Sequence, residues 1–126
     1  EVPSRGLGDV YKRQLQSISD AKTGSFLAIL KLFGPRDEPY LAFASEGYTL
    51  ALDFPNRTGT EALFKKLDDI VLQSGGRLYL TKDARMSRTM FEEGYPQLGL
   101  FKAEKKRIDP ENRYTSIQAE RLGLVH

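Results

Sequence analysis

The chain has 126 residues, 29% of them charged, with 19 Lys and Arg against 17 Asp and Glu and a formal net charge of +2. It has no cysteine and one histidine, His126, which excludes disulfides and thiolate metal sites and leaves zinc chemistry, a Ser-His-Asp triad and a histidine general base poorly supported. Basic and acidic residues are interspersed, so no electrostatic footprint of a nucleic-acid partner is present, and no apolar run approaches the ~20 residues that span a bilayer.

In chain order, the first stretch is SRGLGDVYKRQ (Ser4–Gln14), whose composition differs from that of the remaining chain and which shows neither a helical nor an alternating period. It is similar to the translation of a transposase-end adapter used in DNA sequencing. Residues 1–14 are therefore expected to be a non-native, disordered segment, with the native domain at 15–126 and further native sequence upstream of Leu15. Without that segment, which carries Arg5, Lys12 and Arg13 against Glu1 and Asp9, the formal charge is +1. What remains suits one domain with a core of its own.

GSFLAILKLFGP, residues 24–35, is an apolar run closed by Gly-Pro and predicts a mostly buried strand. A short extended piece is expected at Tyr40–Phe43. A second strand is predicted at Tyr48–Phe54, with Tyr48, Leu50, Leu52 and Phe54 on one face and Pro55 ending it. In TGTEALFKKLDDIVLQSGG, Thr58 and Glu61 have capping-box spacing, Leu63, Phe64, Leu67, Ile70 and Val71 form an apolar stripe, and Gly75 or Gly76 supplies a stop. RLYLTKD (Arg77–Asp83) predicts another strand. The order β, β, α, β points to an α+β fold with a mixed or antiparallel sheet and helices on one face. A helical tail completes the chain: Ser87 caps a short helix through Phe91, Pro96 opens another with Leu98, Phe101 and Ile108 inward, DPENRY breaks it, and SIQAERLGL makes a last helical turn or two. The KAEKKR run at 102–107 reads as a solvated helix face.

Few residues offer chemistry. Lys31 lies in an apolar strand and faces either solvent or a cavity that uses its charge, with solvent favoured because unpaired buried lysines are rare. Lys82, Asp83 and Arg85 concentrate charge at a strand end, either as a functional cluster or as an ion pair worth about 0–1 kcal/mol if exposed. Tyr79 and Tyr95 have hydroxyls for a ligand, although core packing is the commoner fate. Gly75-Gly76 precedes a strand and not a helix, so it does not make a phosphate loop.

The ordered set KLFGP (31–35), DFP (53–55), GGRLYLTKDAR (75–85), YP (95–96), DP (109–110) and RL (121–122) resembles the C-terminal region of FAD-linked oxidases of the vanillyl-alcohol-oxidase type. Within them it is most similar to the branch that oxidises decaprenylphosphoryl-β-D-ribose during 2'-epimerisation. The resemblance covers about residues 24–124. It implies a substrate, or cap, domain that closes over a flavin held mostly by a separate N-terminal FAD domain, so that this segment alone is inactive. It further implies that Tyr79 contacts FAD and that Lys82 is the catalytic cation beside the isoalloxazine. Lys31 and Phe33 would then line the substrate pocket, with Thr49 and Ala51 at positions where mycobacterial members carry Asn and Cys. Expected partners are a small-molecule or lipid-linked sugar substrate and a nicotinamide-dependent reductase. Oxidation of an aldonolactone or another alcohol is the alternative within the class, and a non-enzymatic α+β interaction module is the alternative outside it.

Overall fold

In the computed structural model, which describes residues 4–22 and 27–125, LAILKLF forms strand β1 (Leu27–Phe33) and GYTLALD forms β2 (Gly47–Asp53). The two pair antiparallel, with Leu27 opposite Asp53 and Phe33 opposite Gly47, and they are the only strands among the described residues. The start of the predicted first strand, through residue 26, lies outside the described residues. The rest departs from the sequence expectation in its burial. Leu27, Leu30 and Leu32 are 51%, 57% and 68% exposed, because nothing among the described residues covers them.

The chain divides into two units. The first takes residues 1–36 and 45–76, and the second takes 37–44 and 77–126. In the first, β1 and β2 are accompanied by helices α1 (Ser4–Asp20) and α2 (Thr60–Gln73). Helix α1 takes in residues 4–14 of the segment expected to be disordered, and residues 1–3 lie outside the description. Among its described side chains the half-buried ones, Val10, Gln14, Ser17 and Ile18, have helical spacing, but two of them are polar and the stripe straddles position 15. Hence no apolar period marks it. Arg13 Nη2 donates to Gln73 Oε1 of α2 at 2.6 Å.

Helix α2 forms where its stripe predicts, with Leu63 and Ile70 buried and Phe64 edge-on to Phe54, ring centroids 5.6 Å apart. The capping box expected of Thr58 and Glu61 is not used. Gly59, in the left-handed region at φ 94°, is the N-cap. Thr60 takes over locally, its hydroxyl donating to Pro55 O at 3.0 Å and accepting from Arg57 N–H at 3.3 Å. At the other end Gly75 (φ 70°) and Gly76 donate to the carbonyls of Leu72 and Val71, a double C-terminal stop.

The second unit is helical: α3 (Arg88–Gly94), α4 (Leu98–Ile108) and α5 (Ile117–Arg121). Met86, Met90, Phe91, Tyr95, Leu98 and Leu122 form its buried core. Ser87 caps α3 as expected, accepting from Met90 N–H at 3.1 Å, whereas Ile108, expected inward, is 67% exposed. Two predicted extended pieces are corrected here. Residues 40–43 hold a turn closed by Ala42 N–H donating to Pro39 O, and 77–83 is an extended lead into a 3-10 turn at Leu80–Lys82. In that second stretch side chains from later in the chain occupy acceptors a ladder would need: Tyr95 Oη donates to Leu78 O at 2.5 Å and Gln118 Nε2 to Leu80 O at 2.9 Å. The α+β class holds, with a smaller sheet than RLYLTKD suggested.

Candidate functional site

The sequence-derived site residues fall into two clusters, one in each unit, and each cluster is described by itself. In the first unit the strand register decides which residues share a face, since partners directly opposite in an antiparallel pair project to the same side. Lys31 lies opposite Thr49, Ile29 opposite Ala51 and Phe33 opposite Gly47. Lys31, Phe33, Thr49 and Ala51 therefore occupy one face of the β1–β2 pair, together with Ile29. The other face carries Leu30, Leu32, Tyr48, Leu50 and Leu52. Lys31 is exposed, and among the described residues its ammonium makes no hydrogen bond or ion pair. Phe33 is half-buried beneath the Arg36 guanidinium, whose carbon sits 4.9 Å from the ring centroid. An aromatic ring capped by a cation beside a free lysine makes this face suited to a polar or anionic substrate group.

In the second unit Tyr79 immediately precedes the 3-10 turn and Lys82 is its last residue. Tyr79 is 46% exposed, its ring 4.9 Å from that of Phe43. Lys82 is exposed, and its ammonium has no hydrogen-bond or ion-pair partner among the described residues. Its neighbour Asp83 does not neutralise it, because that carboxylate is fully engaged elsewhere. Oδ1 accepts from the N–H groups of Arg85 at 2.9 Å and Met86 at 2.6 Å. Oδ2 accepts from Arg121 Nη2 at 2.6 Å and Gln118 Nε2 at 3.1 Å. Burial pushes the Asp83 carboxyl up, but the Met86 N–H, the Arg121 guanidinium, the Arg85 N–H and Gln118 outweigh it and hold it below the ordinary value of 3.8.

Tyr95 is removed from the list of ligand-facing groups. It is buried, it packs on Phe91 with centroids 5.3 Å apart, and burial pushes its hydroxyl up to about 12, so it acts as a neutral donor to Leu78 O. Arg77 stacks 5.5 Å from the same ring and donates to Ala42 O at 2.8 Å. Gln118 and Arg121 were not singled out as site residues in the sequence. The available signal was the Arg-Leu pair at 121–122, the last member of the ordered motif set; the ion-pair reading gave Asp83 to its neighbours Lys82 or Arg85, whereas its cationic partner is Arg121.

Among the described residues there is no cluster of potential metal ligands and no helix long and apolar enough to cross a membrane. A free ammonium on an ordered turn beside an exposed tyrosine fits the edge of an anionic or electron-accepting ring system, and so fits a flavin. The family model for D-arabinono-1,4-lactone oxidase matches residues 28–122, which takes in both clusters. The chain is 33% identical over 124 residues to decaprenylphosphoryl-beta-D-ribose oxidase of Mycolicibacterium smegmatis, covering 98% of this chain and 27% of that protein. That alignment extends into residues 1–14. It is also 34% identical over 120 residues to an uncharacterized protein in the mprA 5' region of Streptomyces coelicolor, covering 94% of this chain and 33% of that one. The chain thus spans a third or less of the length of these relatives.

Proposed function

This chain belongs to the D-arabinono-1,4-lactone oxidase family of FAD-linked oxidoreductases, and from that premise we infer that it supplies the C-terminal, substrate-side part of a flavoenzyme that oxidises a sugar-derived alcohol. The observation that carries this reading is the family match across 28–122, which includes Lys31, Phe33, Thr49, Ala51, Tyr79 and Lys82 in one continuous stretch. The FAD itself, when bound, supplies the acceptor for a hydride leaving the carbinol carbon. Tyr79 and Lys82 would contact it. The ammonium of Lys82, unpaired among the described residues, would stabilise negative charge arriving on the ring.

On the substrate side Lys31 orients a polar or phosphorylated group, and Phe33 offers an apolar wall. Thr49 and Ala51, on the same face, contribute one hydroxyl and a small methyl, which sets the room available for the sugar. A ribosyl lipid of the kind named for the mycobacterial relative is the first candidate substrate, and an aldonolactone is the second. With the former, a nicotinamide-dependent reductase partner would return a hydride and complete an epimerisation. The exposed leucines of the β1–β2 pair support a chain that packs against a further protein surface or ligand, which a self-contained interaction module would not need.

The test is Lys82→Met in the flavoenzyme that contains this sequence, with stopped-flow measurement of flavin reduction by substrate. Reduction is expected to slow by about 10²-fold, in line with removal of one electrostatic group at a reacting centre, with the fold retained by circular dichroism. Unchanged reduction removes Lys82 from the mechanism.

A further inference from the structure

We propose that Gln118 and Arg121 of α5 are positioning residues for Lys82, gripping the backbone and side chain on either side of it while leaving its ammonium free. The inference rests on the reading of Lys82 given above. The 3-10 turn that carries Lys82 begins at Leu80 and is closed by Asp83 N–H donating to Leu80 O at 3.2 Å. Both ends of that turn are held from α5. Gln118 Nε2 bridges them, donating to Leu80 O at 2.9 Å and to Asp83 Oδ2 at 3.1 Å. Arg121 Nη2 donates to the same Asp83 oxygen at 2.6 Å, and its Nη1 donates to Met86 O.

Geometry and charge both favour this arrangement as a device for presenting a cation. A short 3-10 turn has poor hydrogen-bond geometry of its own and needs outside support to stay in one conformation. Residues three apart on a helix project to the same side, so Gln118 and Arg121 reach the turn together. Arg121 satisfies the Asp83 carboxylate, whose side chain is only 5% exposed, so the acidic group next to Lys82 in the chain is already paired. The anchor is itself firm. Ser116 Oγ accepts from Ala119 N–H at 3.1 Å at the start of α5, and Leu122 is fully buried. At its end Gly123 (φ 71°) and Leu124 donate to the carbonyls of Glu120 and Ala119.

Gln118→Met is the main test, since methionine keeps length and helix propensity and removes only the donor. In the 126-residue chain, hydrogen exchange of the Asp83, Arg85 and Met86 amides is expected to quicken by at least about three- to ten-fold, since both Gln118 hydrogen bonds to the turn are lost, while Lys82→Met leaves it unchanged. Unaltered exchange in Gln118→Met overturns the anchoring. In the flavoenzyme, Gln118→Met is expected to slow flavin reduction by about three- to ten-fold and to move the flavin midpoint potential in the same direction as Lys82→Met. Placed in the Lys82→Met background it is expected to add nothing, because its effect passes through that lysine. Equal slowing in both backgrounds overturns positioning in favour of a general loss of structure. Arg121→Lys, which keeps the cation but not the two-handed grip, gives a second reading with the same expected pattern. If Lys82→Met leaves reduction unchanged, the parent reading falls and the inference with it. If Lys82→Met slows reduction and Gln118→Met does not, positioning alone falls.

Discussion

Asp83 shows how one side chain can decide the character of its neighbours. Four donors converge on its two oxygens, two from the backbone of Arg85 and Met86 and two from α5, and the carboxylate is consequently easier to ionise in the folded chain than in the unfolded one. A lowered folded pKa means that its stabilisation is present at neutral pH and disappears as pH falls through the folded value, below 3.8. Asp83→Asn is therefore expected to cost about 1.5–3 kcal/mol at pH 7, the worth of a hydrogen bond to a charged group, with variant and parent converging as the pH falls through the folded value. Denaturant titrations at several pH values check this, and a constant difference across pH would contradict it. The charge concentration at 82–85 was legible in the sequence. Its pairing was not, since Asp83 reaches past Lys82 to a partner 38 positions further on.

At the scale of elements, β1, β2 and α2 were legible because the first is an apolar run, the other two carry an apolar period, and each has a clear stop. RLYLTKD was misread for an equally physical reason: it alternates like a strand, but its carbonyls are claimed by Tyr95 and Gln118, which no local pattern announces. Burial was misjudged in the same way, for a run of leucines specifies a surface to be covered without specifying what covers it. The face with Leu30 and Leu32 is thus expected to drive self-association of the 126-residue chain. Replacing both with Thr, which keeps strand propensity, is expected to raise the concentration at which association appears by about ten-fold or more in sedimentation velocity, at unchanged helix content. Lys31 and its companions, on the opposite side of the pair, are untouched by that change.

Taken whole, the molecule distributes its core unevenly. Among the described residues, the second unit buries Met86, Met90, Phe91, Tyr95, Leu98 and Leu122, whereas the first buries only Leu63 and Ile70 of its large apolar side chains. A two-stranded pair is marginal in water without a covering layer, so amides of β1 and β2 are expected to exchange well ahead of those in α3 and α4. Slower exchange in the strands would mean that something covers them in solution. The α+β class could be read from the order of elements, but the division into units could not, because the chain crosses between them three times. The connection from β1 to β2, Asp37–Ala44, belongs with the helical unit, where Glu38 and the carbonyl of Ala42 hold Arg77. Recombination between relatives must respect that thread: a graft of residues 77–126 onto a foreign scaffold would arrive without the loop that Arg77 grips, and a graft that starts at Asp37 would bring β2 without its ladder partner, so the transferable cassette reaches back to β1.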